Sequence, residues 1–177
     1  MSRRNRDEVI SIKDLQKYIV KILGDSVENH SEVSNKPLII EMKDPYNRKY
    51  RIYAFNCNNP PGGRPINEYK IVLNVGQEQG KRGNFDYSDG CFPIVIGYVK
   101  QHDVFVLWDS TKHKDFGFNK NMQVKSETIL RALASPTSLQ KRRTWNGEET
   151  IIAARSEYLI DALNKRISLL HDEMAGE

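Results

Sequence analysis

The chain has 177 residues, 38% of them apolar and 28% charged, with eight Tyr, six Phe and two Trp. That length suits one domain, here residues 1–177, and that aromatic content excludes a disordered chain. The formal net charge of +4 and a pI near 9.0 permit a nucleic-acid partner without demanding one.

No apolar run reaches the roughly 18 residues that a membrane-crossing helix needs. The start MSRRNRDEV is basic but has no apolar segment behind it, so a signal peptide is not expected and residues 1–8 read as a flexible tail. A cytoplasmic protein with reduced thiols is the expectation for Cys57 and Cys91, which form no C-x-x-C pair and have no histidine at zinc-ligand spacing. His30, His102, His113 and His171 show no metal spacing either, and each reads as a surface residue. No metal or other cofactor is predicted.

Taken in chain order, Ser11 precedes IKDLQKYIVKILG with Asp14 three residues on, a pattern close to a capping box. Ile12, Leu15, Ile19, Ile22 and Leu23 share one helical face, and Gly24 is a natural stop. Residues 25–36 are polar and read as a loop. PLIIEMK and KYRIYAF read as a hairpin around the turn chemistry of DPYNR. NCNNPPGGRPIN is a loop because of its prolines and glycines, and EYKIVLNV is a strand. GQEQGKRGNFDYSDG is a second long loop. CFPIVIGYV and DVFVLWD are strands joined by KQH, and STKHKDFGFNKN is a third long loop. VKSETILRALAS reads as a short helix capped by Ser126. Residues 135–148 read as a connection carrying Lys141, Arg142 and Arg143. EETIIAA is a strand, and Ser156 caps a last helix with Leu159, Leu163, Ile167 and Leu170 on one face. Grouped strands between terminal helices predict an α+β fold.

Few patterns suggest catalysis. Glu41-Met42-Lys43 has the E-x-K form of many nuclease sites, in which a carboxylate holds a metal and a lysine steadies a phosphate. The preceding acidic residues, Asp25 and Glu32, lack the usual context. There is no G-x-S-x-G, no P-loop and no dinucleotide fingerprint. An isolated enzyme is not expected.

Three connections share another character. The first carries Arg64. The second carries Lys81, Arg82 and Asn84, followed by Phe85 and Tyr87. The third carries Lys112, His113, Lys114, Phe116, Phe118, Lys120 and Asn121. Lysine and arginine neutralise phosphates, and arginine and asparagine can pair with base edges. Aromatics in basic loops can stack on an extruded base, and the neighbouring glycines would let the backbone approach a phosphate. Trp108 and Asp109 close a strand at the mouth of the third loop. With Tyr87 and Asp89 they are the candidates for a base pocket. Each has a plain alternative: Trp108 as core, the aspartates as turn caps.

The ordered set PPGGRPINEYKIVLNV, GKRGNFDYSDG, GYVKQHDVFVLWD and KDFGFNKNMQVKSETILRAL resembles the N-terminal specificity domain of bacterial restriction endonucleases of the AspBHI and MspJI kind, and of McrB-like and LlaJI-like restriction subunits. The resemblance spans about residues 36–170. It implies a twisted mixed β-sheet closing into an SRA-like pseudobarrel, flanked by helices at its N- and C-terminal ends. It implies double-stranded DNA as partner, read either as a fixed sequence or as a flipped 5-methylcytosine, with cleavage carried by a nuclease domain or subunit. Arg64, Lys81 and Arg82 would contact the DNA backbone, and Lys112–Asn121 would contact bases or backbone. Two rival expectations remain: an Mg-dependent nuclease built on Glu41 and Lys43, or a protein-binding module that docks through Leu163 and Ile167 of the last helix.

Overall fold

The structure is a computed structural model, and it describes residues 9–59 and 67–176. The expected tail 1–8, and Arg64 with the PPGGR stretch, lie outside the described residues.

Helix α1 (Ile12–Leu23) starts at Ser11, whose hydroxyl accepts the Asp14 N–H at 3.1 Å, and ends at Gly24 with a φ of 52°. The predicted hairpin is β2 (Leu38–Met42) and β3 (Lys49–Asn56), in antiparallel register from Leu38↔Ile52 to Glu41↔Lys49. Before it, β1 (Val27–His30) pairs with β2. This segment reads as loop in the sequence because an edge strand with one weakly buried residue carries no apolar alternation.

After β3 the chain crosses to a second layer as β4 (Glu68–Leu73), then returns as β5 (Phe92–Val99), parallel to β3 from Tyr50↔Phe92 to Asn56↔Tyr98. A tight turn with Asp103 at a φ of 52° leads into β6 (Val104–Trp108), antiparallel to β5. Strand β7 (Lys120–Lys125) pairs with β4 in a separate two-stranded sheet. It occupies residues that the sequence assigns to a loop and to a helix start.

The short helix α2 (Ser126–Arg131) begins later than expected, and Ser126 does not cap it. Instead Gln140 accepts from the Lys125 N–H and the Thr128 hydroxyl. Gln140 belongs to β8 (Ser138–Thr144), which replaces the expected connection and pairs with β9 (Gly147–Arg155). Helix α3 (Leu159–Ala175) follows a single 3-10 turn that starts at Ser156, and no side chain caps it.

The main sheet has seven strands in the order β1-β2-β3-β5-β6-β9-β8. Its outer strands, β1 and β8, lie at opposite edges and are not paired with each other. The expected pseudobarrel therefore corrects to an open mixed sheet with a small second sheet over one face; among the described residues no barrel closes.

Side-chain alternation serves both faces. Tyr50, Ile52, Ile94, Ile96, Phe105, Leu107 and Ile152 point toward α1 and α3. Tyr53, Val95, Val99, Val106, Trp108, Ile151 and Ala153 point toward β4, β7 and α2. Burial on both faces makes β5, β6 and β9 read as nearly unbroken apolar runs. Each such Ile, Leu or Val contributes about 1.5–3 kcal/mol on leaving water.

The apolar stripe of α3 is used up here. Leu163 and Ile167 are 2% and 6% exposed against the sheet, so they offer no docking surface. This corrects the expectation that the last helix presents them to a partner.

Candidate functional site

Three segments converge beside β8. One is the β6–β7 connection, residues 109–119. The second is the tip of the β8–β9 hairpin. The third is the β4–β5 connection, which reaches the site through Arg82. Between them lies an open groove of about 700 Å³, lined by Arg82, Lys112, His113, Lys114, Asp115, Phe116, Lys120, Asn121, Arg142, Arg143, Trp145 and Asn146 among others.

The two long connections clamp each other. Gly83 and Phe116 exchange backbone hydrogen bonds of 2.8 and 3.0 Å, and Asn84 Oδ1 accepts the Asp115 N–H at 2.8 Å. Phe116 is 2% exposed and packs on Phe85, which packs on Tyr53. A Cβ on Gly83 would lie 2.9 Å from the Phe116 ring and 2.5 Å from the Gln77 amide. This glycine therefore admits a neighbouring side chain, where the sequence suggested an approach to phosphate. Arg82 adds an ion pair to Asp115 at 3.5 Å and donates to the Asp115 carbonyl.

Beneath the groove lies a buried charged network. Glu149 of β9 is fully enclosed; its Oε2 accepts the Asp109 N–H at 3.0 Å and lies 2.6 Å from His113 Nε2. Lys120 donates to His113 Nδ1 at 3.0 Å. A lysine can only donate, so the His113 Nε2 proton faces Glu149. His113, read as a surface residue in the sequence, is 5% exposed. Arg142 Nε is 4.0 Å from Glu149 Oε1, and its Nη1 donates to the Gln123 carbonyl. Arg166 of α3 reaches Asp109 at 3.5 Å and donates to the Thr150 carbonyl. Burial pushes the Lys120 ammonium below the ordinary lysine value, with Glu149 acting against that shift. These ion pairs and hydrogen bonds offset part of the cost of burying the polar groups, although Glu149 Oε1 accepts no hydrogen bond from the described residues.

Lys114 and Arg143 face solvent, while the Lys112 side chain is largely covered. Lys112 pairs with Glu173 of α3, whereas Lys114 and Arg143 have no partner among the described residues. Arg82, Lys112, Lys114, Lys120, Arg142 and Arg143 stand against Asp115, Glu149 and Glu173. The groove therefore keeps a net positive charge. Trp145, at the hairpin tip, is fully exposed.

The four base-pocket candidates do not converge. Trp108 is 0% exposed in the second core, and its indole N–H donates to the Gln123 carbonyl at 3.1 Å. Asp109 is buried, caps the following turn by accepting from the Thr111 N–H and hydroxyl, and pairs with Arg166. Asp89 lies 3.8 Å from the buried Arg51 guanidinium, and Asp86 lies 3.4 Å from it. That pairing explains why acidic residues occur in an otherwise basic loop. Tyr87 is half exposed, donates to the Ser110 hydroxyl and does not line the groove.

Lys81 is exposed outside the groove lining, and Asn121 sits at its β7 wall, where it accepts from Lys70. Glu41 and Lys43 are exposed at the β2 side of the sheet, far in strand order from β8. The described residues hold no cluster of His, Cys, Asp and Glu able to take a metal ion. No helix among them is long and apolar enough to cross a membrane. Sequence reading missed Arg142, Arg143 and Trp145 as site residues; the signal that could have found them is the run KRRTWNGEE, a basic segment leading into a turn with an aromatic at its tip.

A family model described as methylase-associated X1 matches residues 48–163, about two thirds of the chain, and the chain belongs to that family. The matched stretch begins just before β3 and ends inside α3, so it contains every residue named above as lining the groove. No curated protein and no solved structure matches the chain.

Proposed function

We propose that this methylase-associated X1 chain is the double-stranded-DNA recognition element of a restriction-modification system, and that it docks on DNA through the groove beside β8. The observation that carries the reading is the net positive groove, with two unpartnered cations and an exposed tryptophan on its rim. The family's association with methylases supports the restriction-modification context.

In this role Lys114, Arg143 and Arg82 neutralise phosphates and release counterions, which supplies most of the non-specific affinity. A two-stranded ribbon such as β8–β9 fits a major groove, where an asparagine on the groove wall, Asn121, has the side-chain type that pairs with base edges. Methyl transfer or cleavage then belongs to a partner domain or subunit.

Basic residues on an edge strand also serve to block edge-to-edge pairing. That function accounts for Lys141, Arg142 and Arg143 but not for Lys114 or an exposed Trp145. A nuclease built on Glu41 and Lys43 has less support, because the positive groove lies at the other side of the sheet.

The test is a binding titration of the isolated chain on methylated and unmethylated versions of one randomised duplex pool. Preference for the methylated pool identifies a 5-methylcytosine reader. Enrichment of one sequence in both pools identifies direct readout. Absence of binding to either removes the proposal, and Mg-dependent cleavage lost in Glu41→Ala would replace it with the nuclease reading.

A further inference from the structure

Trp145 is the one fully exposed large aromatic among the described residues; Tyr87, the next, is half covered. A tryptophan carries roughly 200 Å² that favours leaving water, so this ring offers a large uncovered face to a ligand. The tip that bears it is braced. The Thr144 hydroxyl donates to the Gly147 carbonyl at 2.7 Å, and the Asn146 N–H donates to the same hydroxyl at 3.2 Å. Asn146 Nδ2 donates to the Lys112 carbonyl at 3.1 Å, tying the tip to the opposite wall of the groove. Gly147 turns the chain at a φ of 109°, a conformation that favours glycine. The ring is thus presented by a fixed backbone on the rim of the groove that Lys114 and Arg143 also line.

An aromatic face flanked by free cations is the chemistry that takes a nucleobase with phosphates on either side. A paired base inside a duplex has both faces covered by its neighbours, so the complementary ligand is a base that has left the stack. We infer that Trp145 is the stacking platform for an unpaired nucleobase in DNA, with Lys114 and Arg143 holding the flanking phosphates. The inference rests on the groove reading above and adds its substrate class. A protein partner would also welcome an exposed tryptophan, but the surrounding positive charge favours a polyanion.

The test uses three labelled DNAs of one sequence: a paired duplex, the same duplex with one bulged nucleotide, and the single strand. Their binding to the full chain is followed by fluorescence polarisation across a salt series. The wild type should bind the bulged duplex about tenfold or more tightly than the paired duplex, because only the bulge offers a duplex-docking groove a base outside the stack. Trp145→Ala should lose that preference and keep the salt slope, whereas Trp145→Phe should retain part of it. Lys114→Ala should lower the slope on all three DNAs and leave the preference intact. An unchanged melting temperature for Trp145→Ala excludes misfolding as the cause. Equal wild-type affinity for the bulged and paired duplexes, or a preference that survives Trp145→Ala, overturns the inference and leaves the groove reading standing. No binding of the wild type to any DNA overturns both.

Discussion

Trp108 and Trp145 are chemically identical, yet they occupy opposite environments. Trp108 is enclosed by the second core and touches the space above Gly97, where an added Cβ would come within 3.0 Å of its ring. Trp108→Ala should therefore cost about 3–5 kcal/mol, read from urea unfolding, because it leaves a cavity in the second core. A loss below 1 kcal/mol would contradict the packing described. Asp86 offers a pH test. Hydrogen bonds from Ser88, with help from Arg51, hold its carboxyl below the usual carboxylate range. A depressed folded pKa contributes stability that is present above the unfolded value and lost as pH falls through the folded one. Asp86→Asn should thus be less stable than the wild type at neutral pH and indistinguishable from it once the wild-type Asp86 carboxyl is protonated in the folded and unfolded states alike. Thermal melts at the two pH values check this.

At the scale of elements, the β8–β9 hairpin and the 109–119 segment carry the site. The exposed ends of Lys114 and Arg143 make few contacts within the fold, so their loss should leave stability within about 0.5 kcal/mol. Each should remove about 0.9 from the slope of log affinity against log salt on duplex DNA. An unchanged slope would show that these side chains do not touch phosphate. Arg82 should behave differently. It also secures the 76–90 connection to Asp115, so Arg82→Ala should both flatten the slope and loosen the clamp. Sequence periodicity finds the elements that bury apolar stripes, such as α1, β3, β5 and β6. It misses β1, β7 and β8, because edge or half-covered strands take polar residues on most positions. The consequence for the site is direct: β8 carries Arg142 and Arg143, and read as a loop it supplies no groove wall.

Over the whole molecule, one sheet separates two cores, and β6 and β9 supply side chains to both. The two cores should therefore unfold together. Cys57 reports on this. It is 2% exposed in the second core, and burial pushes its thiol far above the ordinary value. Cys91 is buried as well, and both thiols are free. Neither should react with a thiol reagent in the native state, and both should react at one rate set by global opening. Faster reaction of Cys57 alone would indicate that the β4–β7 layer opens separately.

Local chemistry in the sequence determined the α1 cap and stop, the β2–β3 and β5–β6 hairpins, the α+β class and the basic, aromatic character of the 110–121 segment. These depend on nearest neighbours and on periodicity, which a single chain displays directly. Only the tertiary structure decided which tryptophan is buried, that Asp86 and Asp89 face Arg51, that Glu149 anchors the groove floor, and that the sheet stays open. Those outcomes depend on which distant segments pair. Trp108 is enclosed because β4 and β7 cross over it, and Trp145 is free because it sits at the tip of the β8–β9 hairpin, past the end of both strands.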